Sequence, residues 1–334
     1  NQIFNVNKML EFQKAPFLEL ENYKAPKGIK CFFVPMPDGK KIRLAYWKIS
    51  GIEKKCRGTI LLQQGHNEFI EKYYETIQEF IDRNFNVIAY DWRGQGMSEK
   101  MIEDNHKQYI EDFKIHDEDL QFLIDKIINK LFEPPIIAIG HSMGGCIMLS
   151  SLKKNGNKFD KVILSAPMLG FKNELILFPL INICELILPR EFFMFGSRPN
   201  MGREVPFDKN DLSTDKKRYM RTLMLVRKNK DIRLWGITVA FAIAVKRRLL
   251  ELRKNGWAES INNQILFINS INDSVVSSKH ISEMSKRLKN AQIINFEACE
   301  HELFMEKDIH REKMWNKIDK FLNLPLDHDS LTSR

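Results

Sequence analysis

The stretch IIAIGHSMGGCIML, from Ile136 to Leu149, places one serine between glycines inside an otherwise apolar run. Its first half predicts a buried strand, and its second half begins a helix that we expect from Met143 to Leu152. Ser142 therefore lies at a strand-to-helix turn. Gly140 and Gly144 permit close backbone approach there, because a side chain at either position would crowd the turn or the packing of helix against strand. Such a turn raises the serine hydroxyl above the strand ends.

Short apolar runs alternate with helical patterns on both sides of this stretch, which is typical of βαβ units. The sequence predicts an α/β fold with a mostly parallel, eight-stranded sheet and helices on both faces. The first two strands flank the turn signal PDGK and should form an antiparallel hairpin. The predicted strands are Lys30–Val34, Ile42–Trp47, Thr59–Gln63, Asn86–Asp91, Pro135–Ile139, Lys161–Ser165, Gln264–Asn269 and Gln292–Phe296.

The alternation stops at residues 166–263, which have a mostly helical pattern. We expect an inserted helical cap, since an unstructured loop of that length is uncommon in a compact domain. The core then comprises residues 1–165 and 264–325, and residues 326–334 should form a frayed tail. Within the cap, ELILFPLINICELILP (Glu174–Pro189) predicts paired short helices with a large apolar face, because two prolines and polar residues interrupt it.

The composition excludes several classes of protein. With 43% apolar and 28% charged residues, the chain of 334 residues fits an ordinary globular protein. It has no run of eighteen apolar residues to span a bilayer, and no signal peptide pattern opens it, so we expect a cytoplasmic location. The five cysteines lack paired spacing and should be free thiols. Zinc-ligand spacing, a phosphate-binding glycine loop and a dinucleotide fingerprint are absent, so we expect no metal or organic cofactor.

A nucleophilic serine needs a base to take its proton and a carboxylate to orient that base. Asp273 follows the seventh predicted strand, and His301 follows the eighth. Either residue alone would be read as an exposed loop side chain. Together they follow consecutive strands, at one edge of the sheet, in the chain order Ser, Asp, His that belongs to this topology. We therefore predict Ser142, Asp273 and His301 as a catalytic triad.

An acyl-transfer site also needs two N–H donors for the oxyanion. The backbone of Met143, at a helix start, can supply one of them. The loop QGHNEFIEKY after the third strand can supply the other from the backbone of His66. We expect the His66 ring to be solvated, and the ring of His141, beside the serine, to be a packed structural group.

These segments resemble the α/β-hydrolase superfamily, and within it the lysophospholipase L2 and monoacylglycerol lipase group. The resemblance covers most of the chain and rests on QGHNEFIEKY, DWRGQGMS, GHSMGG, SAPMLG and HELFMEKD, in the order of that group. It implies Ser142 as nucleophile, Asp273 as acid, His301 as base, and the amides of His66 and Met143 as oxyanion donors. One position departs from the group: Gln64 stands where many relatives have histidine.

The resemblance implies a serine esterase that hydrolyses a single-chain lipid, either a lysophospholipid or a monoacylglycerol, through an acyl-enzyme. A proline-type aminopeptidase has the same core and triad, and function on this fold depends on the cap. An aminopeptidase needs cap carboxylates to hold an ammonium group, and these are sparse. A binding module without activity is the third alternative, against which the complete triad argues.

Positive charge is concentrated in the predicted cap. Residues 203–254 contain fifteen Lys and Arg against six Asp and Glu, a net of +9 that equals the formal charge of the whole chain. No nucleic-acid recognition motif accompanies this charge, so we expect no nucleic-acid partner. A solvated helical face is the plain alternative. The charge adjoins an apolar segment, however, which predicts peripheral contact between the basic cap, including Lys216, Lys217 and Arg218, and an anionic membrane.

Overall fold

An eight-stranded sheet forms the centre of the computed structural model, which describes residues 12–49, 55–195 and 203–323. The strand order is β1-β2-β4-β3-β5-β6-β7-β8, in which only β2 runs against the others. The predicted sheet and its opening hairpin are therefore confirmed, with each strand end within two residues of its prediction. The strands are β1 (Lys30–Pro35), β2 (Lys41–Trp47), β3 (Thr59–Gln63), β4 (Asn86–Tyr90), β5 (Ile136–His141), β6 (Lys161–Ser165), β7 (Gln264–Ser270) and β8 (Ala291–Phe296).

Eight helices of eight or more residues lie in the described part of the chain. They are α1 (Tyr74–Asp82), α2 (Lys114–Leu123), α3 (Met143–Asn155), α4 (Glu174–Ile187), α5 (Lys216–Lys228), α6 (Val239–Leu252), α7 (Ser278–Arg287) and α8 (Asp308–Leu322). Every residue of β3, β4 and β5 is buried, because helices cover both faces of the sheet centre. The frayed tail expected for residues 326–334 lies outside the described residues.

Helices α4, α5 and α6 all lie between β6 and β7, in what we call the β6–β7 segment (residues 166–263). The two-residue strand Gly236–Ile237 interrupts this helical pattern and pairs with Lys107–Gln108, which follow β4 in the chain. The buried face of α4 packs on α6 through Ile181, against Val239 and Ile243. This contact holds α4 against the rest of the segment.

The prediction of paired short helices in Glu174–Pro189 was wrong, because α4 is one helix with Pro179 inside it. A proline at this position removes the hydrogen bond to the carbonyl four residues earlier. That carbonyl belongs to Leu175, which is 94% exposed. Water can therefore donate a hydrogen bond to it, and the helix continues.

The outer face of α4 exposes large apolar side chains. Leu175 and Leu186 are 94% and 85% exposed, and Phe192 and Phe195 beyond the helix are also exposed. We call the helix residues of this surface the α4 apolar face; they are Leu175, Ile176, Ile183, Leu186 and Ile187. No helix among the described residues is long and apolar enough to cross a membrane. The face is thus an exposed surface on a short helix.

Part of the positive charge expected on the cap surface instead binds acidic residues of the core. Arg218 is buried, and its guanidinium contacts Glu75 and Asp308 at 2.6 Å each. Arg248 contacts Asp117 at 2.5 Å in the same way. The sequence-based expectation that Arg218 contributes to a basic membrane surface was therefore wrong, since a cationic side chain in ion pairs of this kind is not available to lipid.

Candidate active site

Ser142 is the single residue between the end of β5 and the start of α3. Its backbone has a φ of +50°, a conformation that residues other than glycine rarely adopt. A Cβ on Gly140 would lie 2.7 Å from the Cα of Gly145, and one on Gly144 would lie 2.5 Å from the carbonyl oxygen of Gln63. Both glycines are therefore required by close packing around the turn, as the sequence indicated.

The structure brings the other two predicted triad residues to this serine. The Nε2 of His301 lies 2.9 Å from the Oγ of Ser142, and its Nδ1 lies 2.7 Å from the Oδ2 of Asp273. The backbone N–H groups of Val275 and Val276 donate to the other oxygen of Asp273, at 2.7 and 2.9 Å. All three side chains are buried.

The pKa of the Asp273 carboxyl is lowered in this setting. Burial alone would raise its pKa, but the hydrogen bond and charge interaction with His301 and the two backbone donors outweigh burial. Asp273 is consequently ionised at neutral pH, and its Oδ2 accepts a hydrogen bond from the Nδ1–H group of His301. That hydrogen bond leaves Nε2 of the neutral ring free to accept a proton from Ser142.

The loop after β3 places the backbone of His66 beside the serine. The N–H groups on either side of His66 are already bonded, Gly65 to the carboxylate of Glu68 and Asn67 to Oε1 of Gln95 at 2.5 Å. Met143 is the first residue of α3, so its N–H has no partner within the helix. His66 lines the cavity together with Ser142, and Met143 directly follows Ser142, so the N–H groups of these two residues stay our predicted oxyanion donors.

The two histidine rings near the site are both packed. The ring of His66 lies on Phe241 of α6 with centroids 5.2 Å apart, and burial lowers its pKa to about 4. Our expectation of a solvated ring was therefore wrong, because α6 covers the loop. The ring of His141 bonds the carbonyl oxygen of Ser165 at 3.1 Å and is buried, as expected of a structural group.

Gln64, which replaces the histidine common in the resembling group, joins the loop to a buried ion cluster. Its Nε2 donates to Oδ1 of Asp91 at 2.9 Å, and its carbonyl accepts from Nε1 of Trp92 at 2.7 Å. Asp91 in turn contacts Arg43 at 2.7 Å, and Arg43 binds both carboxylate oxygens of Glu71. The amide at position 64 thus fixes the start of the loop after β3 through charged groups beneath it.

A second buried cluster links that loop to the residue after His301, and sequence reasoning missed it. The Nζ of Lys72 lies 2.6 Å from Glu68 and 2.5 Å from Glu302. Glu68 also accepts from the hydroxyl of Tyr73 at 2.8 Å. The spacing of Glu68 and Lys72 by four residues was a visible signal for part of this cluster. Its other half, Glu302, comes from a distant part of the chain.

A cavity of about 270 Å³ opens above Ser142 and His301. Part of its wall is apolar and comes from the β6–β7 segment, and Arg233, Asn210 and Asp211 add polar groups from the same segment. The apolar wall residues of this segment are Val205, Leu212, Leu223 and Val226, and Phe69 and Val275 add apolar wall from outside it. No group of three or more His, Cys, Asp or Glu side chains that could hold a metal occurs in the described part of the chain.

A serine on a strand-to-helix turn, above a sheet of this strand order, is the arrangement of an α/β hydrolase. The chain belongs to the family described as Hydrolase_4, serine aminopeptidase, S33, whose model matches residues 54–308. The predicted fold, the predicted resemblance to this superfamily and the predicted class of enzyme, a hydrolase, are confirmed.

Among curated proteins, the chain is 25% identical over 304 residues to a probable lysophospholipase L2 of Haemophilus influenzae, covering 88% of this chain and 94% of that protein. It is 29% identical over 132 residues to a monoglyceride lipase of Rattus norvegicus, covering 40% and 41% of the two chains. Among solved structures, a soluble variant of monoglyceride lipase from Saccharomyces cerevisiae superimposes with a TM-score of 0.71 at 16% identity, covering 92% of this chain and 98% of that one. This last likeness concerns the fold.

Proposed function

We propose that this chain is a serine esterase that cleaves the acyl ester of a single-chain lipid, a lysophospholipid or a monoacylglycerol. The observation that carries the proposal is the continuous chain of hydrogen bonds from Ser142 through His301 to Asp273, at 2.9 and 2.7 Å. Two further observations support a lipid substrate. The relatives are named as a lysophospholipase and a monoglyceride lipase, and part of the cavity wall is apolar.

In the first half of the proposed reaction, Nε2 of His301 takes the hydroxyl proton of Ser142 as the serine attacks the ester carbonyl. The negative oxygen of the tetrahedral intermediate accepts hydrogen bonds from the N–H groups of His66 and Met143, and one such donor stabilises it by roughly 3 to 4 kcal/mol. His301 then protonates the departing alcohol. The products are a free alcohol and an acyl group on Ser142.

In the second half, water enters and His301 takes its proton, so that the hydroxide attacks the acyl-enzyme. The ionised Asp273 stabilises the positive charge that His301 carries in both halves. The fatty acid leaves, and the serine regains its proton. We propose that residues 166–263 act as the cap, because they supply a large part of the cavity wall, between Val205 and Arg233.

A substrate panel tests the reaction and the lipid class together. Monoacylglycerols, lysophospholipids, short p-nitrophenyl esters and aminoacyl amides would be offered to the wild type and to Ser142→Ala, with a fluorophosphonate probe to label the nucleophile. We expect labelling that depends on Ser142, and hydrolysis of the lipid esters. Hydrolysis of aminoacyl amides alone would indicate an aminopeptidase, and an absence of labelling and turnover would indicate a binding module.

We also propose that the cap rests on anionic lipid through the α4 apolar face. Basic side chains border that face: Arg190 and Arg247 share the single carboxylate of Glu185 at 3.8 and 3.1 Å, and Lys246 lies beside Phe178. The border thus carries three cations, Arg190, Arg247 and Lys246, and two acidic side chains, Glu185 and the exposed Glu191. An exposed apolar surface with a basic border is suited to a leaflet of anionic lipid.

Vesicle co-sedimentation tests this contact. Binding should increase with phosphatidylglycerol content and decrease with added salt, and the double variant Leu186→Ser with Ile187→Ser should bind more weakly. The matched control is Ile309→Ser, which removes an equally exposed apolar side chain from α8, at 71% exposure. Equal binding of neutral and anionic vesicles, or self-association of the chain through α4 without vesicle binding, would contradict the proposal.

A further inference from the structure

Among the described residues, the side chain of Arg233 in the wall of the cavity has no ion-pair partner. It lines the cavity together with Ser142 and His301. Its Nη1 is buried and has no hydrogen-bond acceptor among the described residues. The more deeply buried arginines of the described chain differ from it, because each binds at least one carboxylate; they are Arg43, Arg93, Arg218, Arg248 and Arg311.

The backbone that carries Arg233 is attached to the oxyanion loop. Oδ1 of Asn67, the residue after His66, accepts from the N–H of Leu234 at 2.7 Å, and its Nδ2 donates to the carbonyl of Leu234 at 3.1 Å. On the other side, the N–H of Trp235 donates to the carbonyl of His106 at 2.7 Å. The guanidinium therefore starts from a fixed point relative to the atoms that would react.

The carboxylates of the cavity do not neutralise Arg233. Glu68 and Glu302 both contact Lys72, and none of the three cavity carboxylates, Glu68, Glu302 and Asp211, is within ion-pair distance of Arg233. Burial lowers the pKa of Arg233, with Tyr219 and Glu204 acting weakly against that effect. A guanidinium nitrogen that is shielded from water without an acceptor is costly, and an anion entering the cavity would relieve that cost.

We propose that Arg233 binds the phosphate of the substrate and so favours lysophospholipids over neutral monoacylglycerols. The inference rests on the proposed esterase function. In a lysophospholipid the acyl ester and the phosphate are attached to the same glycerol unit, so when the ester carbonyl lies at Ser142 the phosphate must occupy the same cavity. A guanidinium binds phosphate oxygens with two parallel N–H groups. A monoacylglycerol offers only a hydroxyl at that point.

The test compares two lipids that carry the same acyl chain, lysophosphatidylcholine and 1-monoacylglycerol, presented in the same detergent micelles. The ratio of their kcat/KM values should fall by about 10- to 100-fold in Arg233→Gln, the loss expected for a charge-assisted hydrogen bond. Arg233→Lys should recover part of the ratio, because it restores the charge without the paired donors. The control Arg57→Gln removes one exposed charge at the opposite end of β3 and should leave the ratio unchanged.

An inhibition assay tests phosphate binding at Arg233 with a soluble phosphate ester in place of a phospholipid. Glycerol 3-phosphate should inhibit hydrolysis of p-nitrophenyl butyrate competitively, more strongly than glycerol does, and Arg233→Gln should weaken that inhibition by about 10-fold or more. Inhibition by inorganic phosphate with an unchanged lipid ratio would mean a free-phosphate site and would overturn the proposal. An equal loss on both lipids would overturn it as well.

The outcomes separate this inference from the proposed function. If the wild type hydrolyses neither lipid nor p-nitrophenyl butyrate, the esterase function itself fails. If the wild type hydrolyses both lipids and depends on Ser142, but the ratio in Arg233→Gln matches that of the wild type, only the role of Arg233 fails.

Discussion

Two regions depart in opposite ways from the usual pattern of buried apolar and exposed charged side chains. They are the core beneath the loop after β3 and the outer face of α4. In the core, Arg43, Glu71 and Asp91 are charged and fully buried. On α4, Leu175 and Leu186 are apolar and almost fully exposed. Buried charges are rare unless they are paired, and contiguous exposed apolar surface is rare on a monomer without a binding role.

The difference lies in what each group bonds to. Arg43 binds two carboxylates, and Asp91 also accepts from Gln64 and from the N–H of Ile70 at 3.0 Å, so these charges hold the loops that surround the serine. The side chains of the α4 apolar face have little protein to pack against. Polar groups inside the core therefore hold the geometry of the site, whereas the apolar groups on α4 are left exposed, and we propose that they contact lipid.

The largest expected contrast is in turnover. Ser142→Ala, His301→Ala and Asp273→Asn should each lower kcat for a soluble ester by at least about 10³-fold with the fold retained, because the three act as one unit. Leu186→Ser should change the same kcat by less than about twofold, since Leu186 does not line the cavity. Steady-state kinetics and circular dichroism check both. If a double variant of Ser142 and His301 had a far lower kcat than either single variant, the two residues would not be acting as one unit.

The next contrast is in stability. Arg43→Met should lower the free energy of unfolding by about 3 to 5 kcal/mol, because it leaves two buried carboxylates without their cation. Arg247→Met removes an arginine of similar length from the ion pair with Glu185 at the border of α4, where the side chain is 51% exposed. It should cost less than about 1 kcal/mol. Urea unfolding measures both, and similar losses for the two variants would remove the distinction between the regions.

Acidification should weaken the core through its buried histidines. Burial lowers the pKa of His116 to about 3 and that of His141 to about 4, with nearby charges as smaller causes. Above the unfolded-state pKa of about 6.5, both states are neutral and these residues have no effect. Below it, the unfolded chain binds protons that the folded chain does not, so stability falls as pH decreases from about 6.5 towards 4.

The expected slope is about 1.4 kcal/mol per pH unit for each of His116, His141 and His66, whose pKa is likewise lowered to about 4. His116→Phe should remove its share of that slope, because the ring already packs between Trp92 and Phe113 and both of its nitrogens lack partners. Urea unfolding at pH 7, 6 and 5 supplies the measurement. An unchanged slope in the variant would mean that His116 is protonated in the folded protein.

The smallest contrast lies within α4 itself. Ile181 is 3% exposed and packs on α6, whereas Ile183, on the same helix, is 54% exposed. Ile181→Val should lower the free energy of unfolding by about 0.5 to 1.5 kcal/mol, and Ile183→Val should change it by less than about 0.5 kcal/mol. Equal effects in thermal or urea unfolding would indicate that the outer face of α4 is packed in solution.

Local patterns explain why the sheet and the meeting of Ser142, Asp273 and His301 could be predicted. Strand periodicity and the glycines around Ser142 act over a few residues, and parallel strands bring their following loops to one edge. The ion clusters could not be predicted, because Lys72 and Glu302 are 230 positions apart in the chain. The exposure of α4 and the ion pairs of Arg218 depend on which helix faces pack together. The hydrophobic pattern shows that a helix has an apolar face, but it does not show which element that face packs against.

The late position of Asp273 and His301 in the chain has a consequence for synthesis. Ser142, β5 and the loop after β3 leave the ribosome well before Asp273 and His301, and Glu302, which completes the cluster around Lys72, emerges last of these groups. Domains form during synthesis from the amino-terminal end. A nascent chain therefore carries Ser142 without His301, the proposed base, while the residues between them are added. We therefore expect hydrolysis only once β8 has joined the edge of the sheet and His301 has followed it.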